Sequence, residues 1–291
     1  MTLSPLEEER AEFGYNIEAI RGKSLRIIAT DSSSSRCVFF FHGGGGRACQ
    51  FKHQIRALKD KSDVVAVDFL GHGDSKAPNQ PNLYTEEEHF QDAYEIFMKY
   101  KKSENYIVSH CYGVIHSMRL LKRLRSENIH GVVQGCVFIS IGVNCPVGSS
   151  ASTLSMLPSF ALEWLRPLAR SSSNAKLFAP QTSPDLIAFE NSISNNNRMY
   201  MMKVIGADCS NTESWTHWLQ EGKEGIGDDI KVDFIIGESD GFFPVSSTQE
   251  LCVQYGVSEE RLHVISDAAH LPMLEKPDIV CSIIKKCIGI E

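Results

Sequence analysis

Seven short apolar runs, separated by segments of helical character, restrict the fold of this chain more than any other feature of its sequence. The runs cover residues 25–29, 37–41, 64–67, 106–108, 132–141, 232–236 and 262–265. Most are unbroken in apolar residues and bounded by Gly, Ser or Asp, as expected of strands covered on both faces. Between them, 50–61, 86–100, 112–127, 247–255 and 277–288 have the pattern of helices. Thr85 opens the second of these with acidic residues in its first turn. The third sets Val114, Met118 and Leu121 on one stripe at helical spacing. Strands alternating with helices predict an α/β fold built on a mostly parallel, doubly wound sheet.

One stretch breaks the rhythm. From 144 to 229 the text is helical and loopy, rich in Met, Trp and Asn, with no convincing strand. That is too long for a plain connection, so an insertion folded over the sheet is expected. A chain of 291 residues suits one large domain carrying such an insertion, and it buries a core without disulfides or metals.

Composition excludes several classes of function. The formal net charge of −7 leaves no basic stripe to neutralise phosphates, so no nucleic-acid partner is expected. The densest basic run, Arg119, Lys122, Arg123 and Arg125, falls at the end of a helix, where cations complement the dipole. The nine cysteines are scattered, with no pair at zinc-site or redox-motif spacing, and several sit in apolar runs as buried thiols. No apolar run approaches the roughly 20 residues that span a bilayer. The N-terminus lacks the basic start and apolar stretch of a signal peptide, so a cytoplasmic location is the default.

In open α/β sheets ligands bind at the carboxyl ends of the strands, and the residues there carry the chemistry. After the run 106–108 come Ser109, His110, Cys111, Tyr112 and Gly113, then a helix. His42 and Gly43–Gly46 follow the run 37–41, and the turn from Asp68 to Ser75 follows 64–67. Gly237 to Pro244, containing Asp240, follows 232–236, and Asp267 to His270, with Glu275 and Pro277 behind, follows the last run. No Gly-Lys-Ser/Thr trails the glycines, which argues against a phosphate loop. His110 and His116 do not share a helix face useful to a metal, and no metal or cofactor is called for.

These five blocks, in this order, resemble those of the α/β-hydrolase family, most closely its soluble, capped branch of small esterases, epoxide hydrolases and dehalogenases. The resemblance covers roughly 24–143 and 230–291. The pentapeptide at 109–113 resembles the family's nucleophile elbow, G-x-S-x-G at a strand-to-helix turn, with Ser109 for the first Gly and Cys111 for the Ser. The resemblance implies an α/β-hydrolase core at 1–143 and 230–291 and a helical cap or lid at 144–229. It also implies Cys111 as nucleophile, His270 as base and Asp240 as the acid that orients it, with backbone N–H groups of Gly44 and Tyr112 as oxyanion hole. Glu238 and Asp233 compete for the acid, but the place of Asp240 in its loop favours it. His42, Phe242, Trp164, Trp215 and Trp218, with Met201 and Met202, are candidates to line an apolar substrate pocket; the alternative for the insertion's residues is that they form its own core.

A cysteine at the elbow narrows the chemistry further. Dehalogenase and epoxide-hydrolase chemistry needs a carboxylate there, because an alkylated thiol is a thioether that water does not cleave. A thioester is cleaved by water and also passes its acyl group on. Hydrolysis of a small-molecule ester, thioester or lactone is therefore expected, with acyl transfer differing only in the acceptor. The rival, from another class, is a catalytically inactive hydrolase fold that binds a ligand or protein.

Overall fold

The computed structural model describes residues 4–144 and 157–290. Eight strands form one sheet: β1 (Ile17–Ile20), β2 (Lys23–Ala29), β3 (Arg36–Phe41), β4 (Asp63–Asp68), β5 (Glu104–His110), β6 (Val133–Ile139), β7 (Lys231–Gly237) and β8 (Leu262–Ile265). Their order is β1-β2-β4-β3-β5-β6-β7-β8. From β4 to β8 every neighbouring pair is parallel, while β1 and β2 enter antiparallel. The sheet is thus mostly parallel, as its sequence implies. The unforeseen first strand is held by a tight turn in which Arg21 and Gly22 both have positive φ, 49° and 76°. A further short helix, α1 (Pro5–Phe13), precedes it, capped by Ser4 and Glu7 in a reciprocal box.

Alternate side chains of the central strands serve opposite faces, which is why their sequences are apolar throughout. Phe39 and Phe41 pack under α3 (Glu86–Tyr100) and α4 (Tyr112–Ser126), whereas Val38 and Phe40 pack against α2 (Lys52–Leu58) and residues further along the chain. The ring of Phe39 meets that of Phe97 on α3 at 4.9 Å. Four helices are described between β6 and β7: α5 (Ser159–Leu177), α6 (Pro184–Ser194), α7 (Met199–Ser210) and α8 (Thr212–Gly225). After β7 come α9 (Val245–Gln254), α10 (Pro272–Glu275) and α11 (Pro277–Ile288).

The stretch 144–229 is not uniform. Helix α8 lies directly on α4: a Cβ on Gly225 would stand 2.4 Å from the Lys122 amide nitrogen, and one on Gly222 would stand 2.7 Å from Met118. Trp215 is fully buried there, stacked on Phe243 and donating its indole N–H to the Gly142 carbonyl at 3.2 Å. Structurally α8 belongs to the layer that covers the sheet. Helices α5 to α7 instead approach the carboxyl ends of the strands, where β3 and β5 mark the switch in strand order.

Candidate active site

Cys111 alone joins β5 to α4, with φ 49° and ψ −117°. A residue with a side chain pays strain in that region and holds it only when its surroundings insist. Here they do: the Cys111 N–H donates to the Ile139 carbonyl, and its own carbonyl accepts from the Val114 N–H, both at 2.9 Å. Gly113 is fixed by close approach. A Cβ there would lie 2.5 Å and 2.6 Å from the carbonyl oxygens of Phe41 and His42, so only glycine lets the helix start against β3. Ser109 continues the sheet between Phe41 and Phe138; its buried hydroxyl has no partner among the described residues.

Two loops at the ends of β7 and β8 bring an imidazole and a carboxylate to this turn. They are knit together by the Glu238 N–H to the Ile265 carbonyl and the Ser239 N–H to the Ala268 carbonyl. Gly237 allows this, because a Cβ there would fall 2.0 Å from the Ala269 carbonyl oxygen. Asp240 Oδ2 accepts from His270 Nδ1 at 2.9 Å, and Oδ1 accepts from the N–H groups of Phe242 and Phe243 at 2.8 and 3.0 Å. The Cys111 side chain opens onto the same cavity as this imidazole and acts on it electrostatically. Sulfur, imidazole and carboxylate therefore meet at one site.

The electrostatics of the pair are decided by their mutual attraction. Burial disfavours a charged imidazole, but Asp240, followed by Cys111, outweighs it and raises His270 to about 10. Burial likewise works against an ionised Asp240, yet the His270 charge and the two backbone donors hold it below its ordinary value. His110 supports the imidazole from behind: its Nε2 donates to the His270 carbonyl at 2.8 Å, and the rings lie 4.7 Å apart. Burial, then the charge of His270, keeps His110 far below the usual histidine range, hence neutral. The His270 N–H donates to the Leu177 carbonyl in the last turn of α5 at 3.1 Å. Glu275 accepts from the Ala269 and Ala179 N–H groups at 2.8 and 2.7 Å.

The glycine loop after β3 faces the elbow. Among the described residues, neither the Gly44 N–H nor the Tyr112 N–H has a hydrogen-bond partner. The loop is braced by neutral histidines. His42 Nδ1 donates to the Gly43 carbonyl at 2.8 Å while its Nε2 accepts from the Phe69 N–H at 3.0 Å, and His72 Nε2 accepts from the Gly45 N–H at 3.0 Å. Burial lowers both imidazoles to about 3. Asp68 fixes the neighbouring turn through the Ala48 and Asp74 N–H groups, at 2.6 and 2.9 Å.

A cavity of about 440 Å³ opens over Cys111 and His270. Phe178, Ile193, Met199, Met202, Ile205 and Phe242 make much of its wall. Ile205 sits so close to the glycine loop that a Cβ on Gly44 would be 2.9 Å from its Cγ2. Arg47, Gln50 and Glu190 form a polar part of the wall. Arg47 bonds Glu190 on α6 twice, at 2.6 and 2.9 Å, and Glu9 on α1 at 3.2 and 3.3 Å; all three side chains are buried. Lys52 adds a second cation to Glu9 at 3.1 Å. Among the described residues, no group of three or more His, Cys, Asp or Glu is placed to hold a metal, and no helix is long and apolar enough to cross a membrane.

A family model described as the alpha/beta hydrolase fold matches residues 37–277. The chain belongs to the alpha/beta hydrolase fold family. Protein ABHD8 from Mus musculus and from Homo sapiens is 26% identical to it over 246 residues, covering 84% of this chain and 53% of each relative. The chain thus spans about half the length of these curated relatives. Solved structures share the fold of this family member. They include an alpha/beta hydrolase fold protein from Burkholderia ambifaria (TM-score 0.73, 14% identity, 93% of this chain and 97% of that one). The epoxide hydrolase VrEH1 from Vigna radiata (0.71, 17%, 96% and 99%) and the esterase EaEST from Exiguobacterium antarcticum (0.74, 15%, 94% and 98%) are two more.

Of the residues singled out from sequence, the structure of this alpha/beta hydrolase fold chain brings together Cys111, His270, Asp240, Gly44, Tyr112 and Phe242, whose ring lies 4.7 Å from that of His270. Met202 also lines the cavity. Others lie elsewhere. The expectation that the tryptophans line the pocket is corrected: Trp164 is 88% exposed on the outer face of α5, and Trp215 and Trp218 are buried in the core beside α4. His42 is likewise a brace rather than wall, because both ring nitrogens are engaged by backbone. Of the rival acids, Glu238 is exposed, and Asp233 pairs with Arg261 and His263 instead. Cys145 lies outside the described residues. The sequence reading missed Arg47, Glu190 and Glu9, which no local pattern connects, and His110, visible only as the residue before the elbow cysteine.

Proposed function

We propose that this chain hydrolyses a small-molecule ester, thioester or lactone through a Cys111–His270–Asp240 triad. The observation that carries the proposal is the His270–Asp240 bond on the cavity that Cys111 also lines, opposite two N–H groups with no partner among the described residues. His270 takes the thiol proton, and Asp240 favours the imidazolium that results. Sγ adds to the carbonyl carbon while the Gly44 and Tyr112 N–H groups receive the developing oxyanion, each worth roughly 3 kcal/mol when aligned. The tetrahedral adduct collapses, the C–O or C–S bond breaks, and the leaving group takes its proton from His270. Water then adds to the thioester, giving up its proton to His270, and the acid departs as the thiolate is restored. Asp240 holds the imidazole tautomer throughout.

Helices α5 to α7 act in this reading as the cap that selects the substrate, and α8 joins 1–143 and 230–291 in the core. A thiolate nucleophile works only where it stays reduced, which fits a cytoplasmic protein. The binding-only alternative is motivated by Ser109 in place of the elbow's first Gly and Cys111 in place of its Ser, but Ser109 continues the sheet in register. Intact-mass labelling with acyl-reactive probes tests the proposal. The wild type is expected to gain one acyl group that Cys111→Ala and His270→Ala do not. Equal labelling of Cys111→Ala near neutral pH would mean that another residue reacts. Cys111→Ser should retain altered ester hydrolysis; ester turnover wholly indifferent to that change would sink the assignment.

A further inference from the structure

The cavity wall contains polar atoms that the triad does not use. Arg47 is only 4% exposed, and four of its contacts satisfy its terminal nitrogens on Glu190 and Glu9. Its Nε–H has no partner among the described residues. Asn174, also in the wall, has a buried Oδ1 without a partner among those residues. A buried donor left unpaired costs about 1–3 kcal/mol, so a site that tolerates it gains when a ligand supplies the acceptor.

The charge count decides what kind of acceptor fits. Two cations, Arg47 and Lys52, face two carboxylates, Glu9 and Glu190, within one buried cluster. The other arginine of the wall, Arg166, is paired with Glu163, so no positive charge is left over to attract an anion, and a third carboxylate or a phosphate brought here would meet Glu190 unscreened. An uncharged oxygen carries no such penalty. The rest of the wall, with Phe178, Ile193, Met199 and Met202, favours an apolar body around that oxygen.

Resting on the hydrolase reading, we propose that the substrate is an uncharged, largely apolar acyl compound bearing a second oxygen besides its scissile carbonyl, and that Arg47 Nε–H recognises this second oxygen. Asn174 Oδ1 accepts from a hydroxyl or amide N–H in the same compound when one is present. Arg47 is then a specificity-determining residue.

The test uses the full chain and matched thioesters: a plain alkyl chain, the same chain with one methylene replaced by a ketone carbonyl, and the same chain with a terminal carboxylate. Each replacement is made in the acyl part and, separately, in the thiol part. For the wild type, kcat/KM for at least one keto compound is expected to exceed that of its alkyl partner by about tenfold or more, the worth of a buried charged-donor hydrogen bond. The carboxylate compounds should be the poorest. Arg47→Lys keeps the cation between Glu9 and Glu190 but places no donor where Nε–H stands, so the keto-to-alkyl ratio should fall towards one. A ratio near one in the wild type for both placements, a carboxylate preferred to the ketone, or a ratio unchanged in folded Arg47→Lys would each overturn the proposal. Should the lysine variant not fold, the wild-type ranking of ketone, alkyl and carboxylate decides alone. Calorimetric binding of the corresponding amides, which are not turned over, separates the two readings. Amides that bind with the keto preference while no thioester is hydrolysed would sink the hydrolase and spare the subsite. Turnover without the preference would do the reverse.

Discussion

The two sides of the cavity are held by different physics. The side built from the ends of β5, β7 and β8 is fixed by backbone: the strained turn at Cys111, the glycine contacts at 113 and 237, and N–H donors aimed at Asp240. The side built from the glycine loop and α6 is fixed by charge, through Arg47 between Glu190 and Glu9. Backbone geometry leaves marks in the local sequence, because only certain residues fit it. A charge cluster joining residues 143 positions apart leaves none.

Breaking the backbone-built side should have the largest effect. Asp240→Asn leaves the fold but presents the wrong tautomer, and turnover of an activated ester should fall about 10⁴-fold. The same variant carries a pH signature. His270 in the folded chain sits at about 10, above its unfolded value of about 6.5. While Asp240 stays ionised, the pair's contribution to stability is therefore full below about pH 6.5 and lost as pH rises through about 10. Melting curves should show the wild type losing its advantage over Asp240→Asn across that window. A parallel offset at every pH would contradict the coupling.

Gly113→Ala comes next. Its Cβ meets two carbonyl oxygens at 2.5–2.6 Å, and denaturant titration should show about 3 kcal/mol lost, the upper end of overpacking costs. A loss under about 1 kcal/mol would mean that the elbow relaxes easily. On the other side, Glu190→Gln should cost about 2 kcal/mol, less than a full buried-pair break because Glu9 still faces Arg47. If both variants cost the same, the contrast between the two sides is not energetic. Trp164→Ala should change least, within about 0.5 kcal/mol and without effect on turnover, since the indole is 88% exposed. A large loss of activity there would return the tryptophan to the substrate path.

Much of the frame was legible from sequence because alternation and turn chemistry are local. The runs at 37–41 and 262–265 and the helices at 86–100 and 277–288 coincide with observed elements within a residue or so. The strand β1 was not legible, since Ile17–Ile20 is short, exposed at two of its four residues and stabilised by its neighbour rather than by its own pattern. The site divides the same way. Cys111, Asp240 and His270 each follow an apolar strand, and the resemblance of their blocks to those of the family grouped them. The tryptophans were assigned by type alone, and type does not say which face of a helix is inward. For α8 the inward face turned out to be the sheet's own layer.

One contact joins the two halves of this contrast. The amide of His270 is tethered to the final turn of α5, whose preceding residues line the cavity. A ligand wide enough to push α5 outward would tug the imidazole away from the sulfur, whereas one that leaves α5 at rest keeps the proton relay aligned. On the proposed mechanism, oversized compounds would accordingly be met by a disarmed base as well as by a steric wall, and would act as slow-turnover occupants.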